Sequence, residues 1–217
     1  LGILGEHMEQ FQPDKLRHVH SKSYPVNSNV KVLLDAFLEV YHVPSIHKKT
    51  VSRFIDIEGT YINLWPNGHS RMVTPHRDPD WRDPGAIGLK EIETVSEIPK
   101  HQNASYSFFP NLVTPPAATG IPFLTFWPTS DDTCEIDVHW FSPDWGDGDL
   151  PEVWHKRIEN FEQMSLTLCY LIELSCLKIS HFYSIIICFQ AKIKLEKKSV
   201  DDNLLFLLPL LWVVGSK

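Results

Sequence analysis

Along residues 133–141 apolar and polar side chains alternate without interruption, and this alternation restricts the fold more than any other feature of the chain. Cys134, Ile136, Val138 and Trp140 fall on one face of an extended segment, and Thr133, Glu135, Asp137 and His139 on the other. Such a segment suits an antiparallel sheet with one face against a core. Residues 121–127 precede it as a second strand, with a turn over 128–132 between the two. Asp149 and Pro151 then suit a helix start. Trp154, Ile158 and Phe161 follow at the i, i+4, i+7 spacing of a helix that packs on the sheet.

Upstream, Val32, Leu33, Ala36, Phe37, Val40 and Tyr41 form an apolar stripe at helical spacing. It predicts a helix of roughly three turns from Asn29 that ends where Pro44 lacks a backbone donor. Residues 61–65 and 71–74 flank Pro66, Asn67, Gly68 and His69, which predicts a hairpin whose Asn and Gly tolerate positive φ. Residues 76–100, rich in proline and charge, read as a long surface excursion, either the rim of a substrate entrance or a plain solvated loop. The segment up to Asn27 is linker or edge strand. The plan is α+β, with a curved antiparallel sheet gripping a helix.

A chain of 217 residues with 43% hydrophobic composition can bury one substantial core. Its net charge of -7, with 20 basic residues dispersed along the sequence, argues against nucleic acid or an anionic membrane as partner and favours a small molecule. Cys134, Cys169, Cys176 and Cys188 form no C-x-x-C pair, so neither a zinc ribbon nor a disulfide framework is indicated, and a reducing cytoplasm fits. The first residues show no signal peptide and no initiator Met, which reads as a piece of a longer protein. After Gln163 the composition changes to Leu, Ile, Cys and Ser. The apolar run over 204–214 is about half of the ~20 residues a membrane span needs, so no transmembrane helix is assigned. Residues 165–217 read as an unusual terminal region or as the product of a frame change or read-through, the second being preferred.

The residues that carry chemistry lie on the first predicted helix. Asp35, Glu39 and His42 are spaced i, i+4 and i+7 and so share a face. An isolated triple of this kind is common on solvated helices. Here Tyr41, Val43 and Ile46 give the histidines an apolar context, and a break at Pro44 lets the chain return His47 toward His42. On an unbroken helix the two would sit about 140° apart. Two histidines and a carboxylate on one side of an ion leave the opposite positions open for dioxygen and substrate, as in a ferrous oxygenase site.

The string Asn29, Lys31, Asp35, Phe37, Glu39, Tyr41, His42, Pro44 and His47 resembles the N-W-K-x4-(D/N)-x3-(D/E)-x-Y-H-x4-H motif of Rieske non-haem iron ring-hydroxylating oxygenase α subunits. Tyr106, Phe108, Phe109, Pro110, Asn111 and Leu112 resemble that family's aromatic-F-P-N-l strand, and His139, Trp140 and Phe141 its late sheet. The resemblance covers roughly residues 29–161. It implies a helix-grip, START-like catalytic domain with His42 and His47 as ligands of one mononuclear Fe(II). Glu39 then matches the acidic residue that hydrogen-bonds the first ligand histidine and bridges to the Rieske cluster of a neighbouring subunit, and Asp35 a polar position near the iron. Val30 stands where the family has Trp.

Two departures accompany the likeness. The chain contains neither C-x-H nor C-x2-H, the ligand pairs of a two-iron, two-sulfur cluster, so it is read as a catalytic-domain fragment. The family's third ligand, an aspartate of a C-terminal helix, should follow residues 161–163, where only Glu159, Glu162 and Glu173 are near. The predicted organisation is a connecting segment over 1–28, a truncated catalytic domain over 29–163 and the apolar tail over 164–217. By the resemblance, electrons come from NADH or NADPH through a reductase or ferredoxin and the Rieske cluster, the client is an aromatic or other apolar molecule plus dioxygen, and the full-length protein is a homo-oligomer. A metal-free helix-grip module that binds a hydrophobic ligand, and an inactive truncated product, are the competing readings.

Overall fold

The alternating segment forms a strand, Cys134–Pro143, in which every second residue from Cys134 to Trp140 is buried while Glu135, Asp137 and His139 are half-buried. In the computed structural model the described residues are 2–178, without the side chains of 165–168 and 170–178. The chain divides after Leu174, and the unit Leu1–Leu174 contains every element that follows except the last four residues of the C-terminal helix. Its strands are β1 Leu16–Val26, β2 Tyr61–Leu64, β3 Ser70–Pro75, β4 Gln102–Phe108, β5 Leu112–Thr114, β6 Ile121–Pro128 and β7 Cys134–Pro143. They make one sheet of seven strands in the order β1-β7-β6-β5-β4-β3-β2, antiparallel throughout. Helices α1 Ile3–Glu9, α2 Val30–Phe37, α3 Val43–Ile46, α4 Glu97–His101 and α5 Glu152–Lys178 accompany it. The α+β plan of a curved antiparallel sheet packed on helices is therefore realised.

Apolar periodicity decides which helix covers which face. On one face, Trp140 of β7 meets Trp154 and Phe161 of α5 at ring distances of 5.8 and 4.9 Å. Phe37 of α2 meets Phe126 of β6 at 5.2 Å, and Leu33 and Ala36 are buried beside them. Full burial of a side chain such as Leu33 or Phe126 contributes roughly 1.5–3 kcal/mol. On the other face, Leu4 of α1 packs with Val73, Tyr106 and Phe108. Phe11 packs with Ile92, Val95 and Ile121. Residues 76–100 are thus not a plain solvated loop: Ile92 and Val95 are buried, and the Ile92 N–H donates to the Ala118 carbonyl at 2.7 Å.

The hairpin forms as β2 and β3, with Asn67 and Gly68 at φ of 65 and 79°. The segment up to Asn27 supplies β1, an edge strand paired with β7 along its length. The predicted helix is shorter than its stripe. α2 stops at Phe37, and Pro44 lies inside α3, where it helps to open a new turn. The aromatic-F-P-N segment is not one strand, since β4 ends at Phe108 and β5 begins at Leu112 across a cis Phe109–Pro110 bond. α5 runs across the change in composition at Gln163 to Lys178, and the expectation for the tail beyond it lies outside the described residues. Among the described residues no helix is long and apolar enough to cross a membrane.

Candidate metal centre

Asn29 opens α2, its side-chain oxygen accepting the Lys31 N–H at 2.9 Å. The helix carries its apolar residues onto β6 and ends when the Leu38 N–H bonds the Asp35 carbonyl. Asp35, Glu39 and His42 consequently do not share one helical face. Glu39 bridges the break instead. One carboxylate oxygen, Oε2, accepts the N–H groups of Tyr41 and His42. The other, Oε1, lies 2.5 Å from His42 Nδ1. An acceptor there makes Nδ1 the protonated ring nitrogen and leaves the Nε2 lone pair for an ion.

His42 caps α3, its carbonyl accepting the Ser45 and Ile46 N–H groups, and His47 closes the turn by donating its N–H to the Val43 carbonyl at 3.0 Å. One tight turn therefore replaces the predicted return of the chain. The two rings meet edge to face with centroids 5.2 Å apart. Val40 and Val43 anchor the turn in a cluster with Ile55, against which Met72 of β3 packs. His47 is only 9% exposed. Burial first, and then neighbouring His42, depress its pKa to about 4 against the opposing pull of Glu39. At neutral pH it is an uncharged imidazole, the form a metal needs.

Asp35 stands on the last turn of α2. Although the residue as a whole is exposed, crowding around its carboxyl raises its pKa, and the charge of Glu39 adds to the effect. Glu39, His42 and His47 are thus brought together, with Asp35 beside Glu39. Tyr41 does not shield the histidines, being 55% exposed. Glu159 is exposed. Glu162 is not on a solvated helix face: its side chain is 18% exposed and takes the Lys22 ammonium at 2.9 Å. The Glu173 side chain lies outside the described residues. Among the described residues no group of three His, Cys, Asp or Glu side chains is arranged to hold a metal ion. The donor chemistry of His42 and His47 fits two positions around iron.

Sequence reasoning missed the backbone role of Glu39, for which a carboxylate two residues before an N–H at a helix end is the available signal. It also missed the stacking of Phe54 on Trp81 at 4.1 Å with His76 edge-on to Trp81, which depends on contacts distant in sequence. Leu89 and Lys90 of the excursion line a cleft of about 570 Å³ with Pro143, Trp145 and Trp154; Asp35, Glu39, His42 and His47 do not line it.

Comparison with known proteins places this geometry in context. The family model described as ring hydroxylating alpha subunit (catalytic domain) matches residues 13–161. Among solved structures, a quaternary ammonium Rieske monooxygenase studied for carnitine oxidation and inter-subunit electron transfer superposes with a TM-score of 0.62 at 13% identity, over 79% of this chain and 43% of its own. The same kind of monooxygenase in complex with L-carnitine gives 0.60 at 14% identity, over 84 and 46%. A naphthalene 1,2-dioxygenase variant bound to phenanthrene gives 0.55 at 14% identity, over 82 and 48%. The chain spans less than half the length of these relatives. No curated protein matches the sequence.

Proposed function

Because the chain belongs to the ring-hydroxylating alpha subunit family, whose catalytic domain it carries, we propose that it holds one ferrous ion on His42 and His47 and hydroxylates an aromatic or other apolar substrate. The observation that carries this reading is the turn itself: two imidazoles 5.2 Å apart, one neutral by burial and the other fixed by Glu39. An ion bound there would supply the activation of dioxygen. His42 donates Nε2, His47 donates an uncharged ring nitrogen, and Glu39 holds the proton on His42 Nδ1. Asp35 keeps a proton on its carboxyl to a higher pH than an ordinary aspartate and so limits repulsion beside Glu39.

In this reading the domain takes electrons from a Rieske two-iron, two-sulfur cluster outside these residues, fed by NADH or NADPH through a reductase or ferredoxin. In the homo-oligomeric full-length protein, Glu39 faces that cluster. A second reading, the metal-free module for a hydrophobic ligand, draws on the lack of a third ligand among the described residues.

Nitric oxide separates the two. Ferrous-loaded protein exposed to it under anaerobic conditions should give the half-integer-spin resonance of an iron site with an open position, and aromatic compounds should perturb that signal. No resonance, with aromatic binding unchanged by iron, would leave the metal-free module.

A further inference from the structure

At the opposite edge of the sheet from β2, the pairing of β1 with β7 slips between His18 and His20. Residues three apart on a regular strand point to opposite faces. The slip inserts Val19, so His18 and Ser21 lie opposite Phe141 and His139, which share the face away from Trp140. Bulges of this kind re-aim side chains. Here His18 Nε2 lies 2.6 Å from Ser21 Oγ, and the same oxygen lies 2.7 Å from His139 Nδ1. The His18 ring is held edge-on against Phe141 at 5.6 Å, and Phe141 in turn against Phe123 at 5.8 Å.

A hydroxyl carries one proton and so can serve only one imidazole lone pair as donor. The Ser21 hydroxyl satisfies both rings only when one of them turns an N–H to its oxygen; two lone pairs aimed at that one point, with the His18 ring held against Phe141, suit a cation. The geometry points to a divalent transition-metal site formed by His18 and His139, for an ion of the zinc, nickel or copper class that imidazole favours. The ion takes the place of the Ser21 hydroxyl as the shared partner. Metal–nitrogen bonds of roughly 2.0–2.1 Å require each ring to close in by about half an ångström as Ser21 rotates aside. Asp137, the next residue on this face, already accepts the Ser23 hydroxyl, so water completes the coordination. The site shares no residue with the turn that carries His42 and His47.

Titration of the full chain with zinc(II), followed by calorimetry, tests the assignment. Two classes of site are expected. His18→Ala and His139→Ala should each weaken the same class at least tenfold, while His42→Ala leaves that class intact and removes the other. Ser21→Ala, which keeps both imidazoles, should bind within about threefold of the parent. Copper(II) on this class should show nitrogen hyperfine coupling from two imidazoles in electron spin resonance. A zinc isotherm unchanged by both His18→Ala and His139→Ala, or binding lost in Ser21→Ala, would overturn the site without touching the iron proposal.

Discussion

At the scale of the residue, Glu39 does two things with one carboxylate. Oε1 fixes the His42 tautomer, and Oε2 takes the N–H groups of Tyr41 and His42 in the link between α2 and α3. Glu39→Gln keeps the shape and one carbonyl acceptor but removes the charge, and its amide nitrogen cannot accept the backbone N–H groups. Its stability should fall by only about 1 kcal/mol. Its ferrous affinity should fall roughly 10–100-fold, as for other partners of ligating histidines. Thermal melting and iron titration of the same preparation check both. The spacing of Glu39, His42 and His47 was legible in the sequence because all three lie within one short segment. The exposure of Tyr41 was not, since it depends on where α2 stops, and that stop is set by the Glu39 bonds rather than by the apolar stripe.

At the scale of the element, α5 is fastened to the sheet at two places. Glu162 receives Lys22 at 2.9 Å, with His20 at 3.8 Å and the Tyr24 hydroxyl as further partners. Burial opposes its ionisation, but these partners outweigh it and hold the Glu162 pKa below the ordinary value. A depressed carboxylate contributes stability above its unfolded pKa and loses it as pH falls through the folded one. Glu162→Gln should therefore be less stable than the parent near neutrality, by about 1 kcal/mol given the exposure of Lys22. The difference should vanish in acid below the usual carboxylate range, which denaturant unfolding against pH would reveal. A difference that grew toward acid would rule this contact out.

The second place is Gly120, where an added Cβ would lie 2.5 Å from the Phe141 carbonyl oxygen and 2.8 Å from the Trp154 ring. Gly120→Ala should cost about 1–3 kcal/mol by overpacking, read as a lower unfolding midpoint. The strands β6 and β7 and the start of α5 could be read from periods of two and of three to four residues, and the β2–β3 hairpin from its turn residues. The bulge in β1 could not, because a register slip changes no residue type and follows only from pairing with β7.

At the scale of the whole molecule, a seven-stranded sheet with α2 and α5 on one face sets the His42–His47 turn against β3, through Val43, Ile55 and Met72. The sheet and its helix-grip plan were legible from alternation and from the family motif. The source of any third ligand was not, because the chain's composition changes after Gln163 and the Glu173 side chain lies outside the described residues. Residues 1–217 hold no C-x-H or C-x2-H pair, so with NADH and an added reductase this polypeptide should form no hydroxylated product. Sustained turnover under those conditions would show that electrons reach the site by another route.

The central claim rests on two side chains, and iron stoichiometry tests it most directly. Protein loaded anaerobically with ferrous ion and freed of excess metal should retain iron in proportion to chain in the parent. It should retain essentially none in His42→Ala, in His47→Ala or in the double variant, since losing one imidazole leaves too few donors to hold a labile ion. Circular dichroism should be unchanged, and the His18–His139 site is removed from the comparison by carrying His18→Ala in every sample. Iron retained at the parent level by the double variant would contradict the assignment of His42 and His47 as ligands.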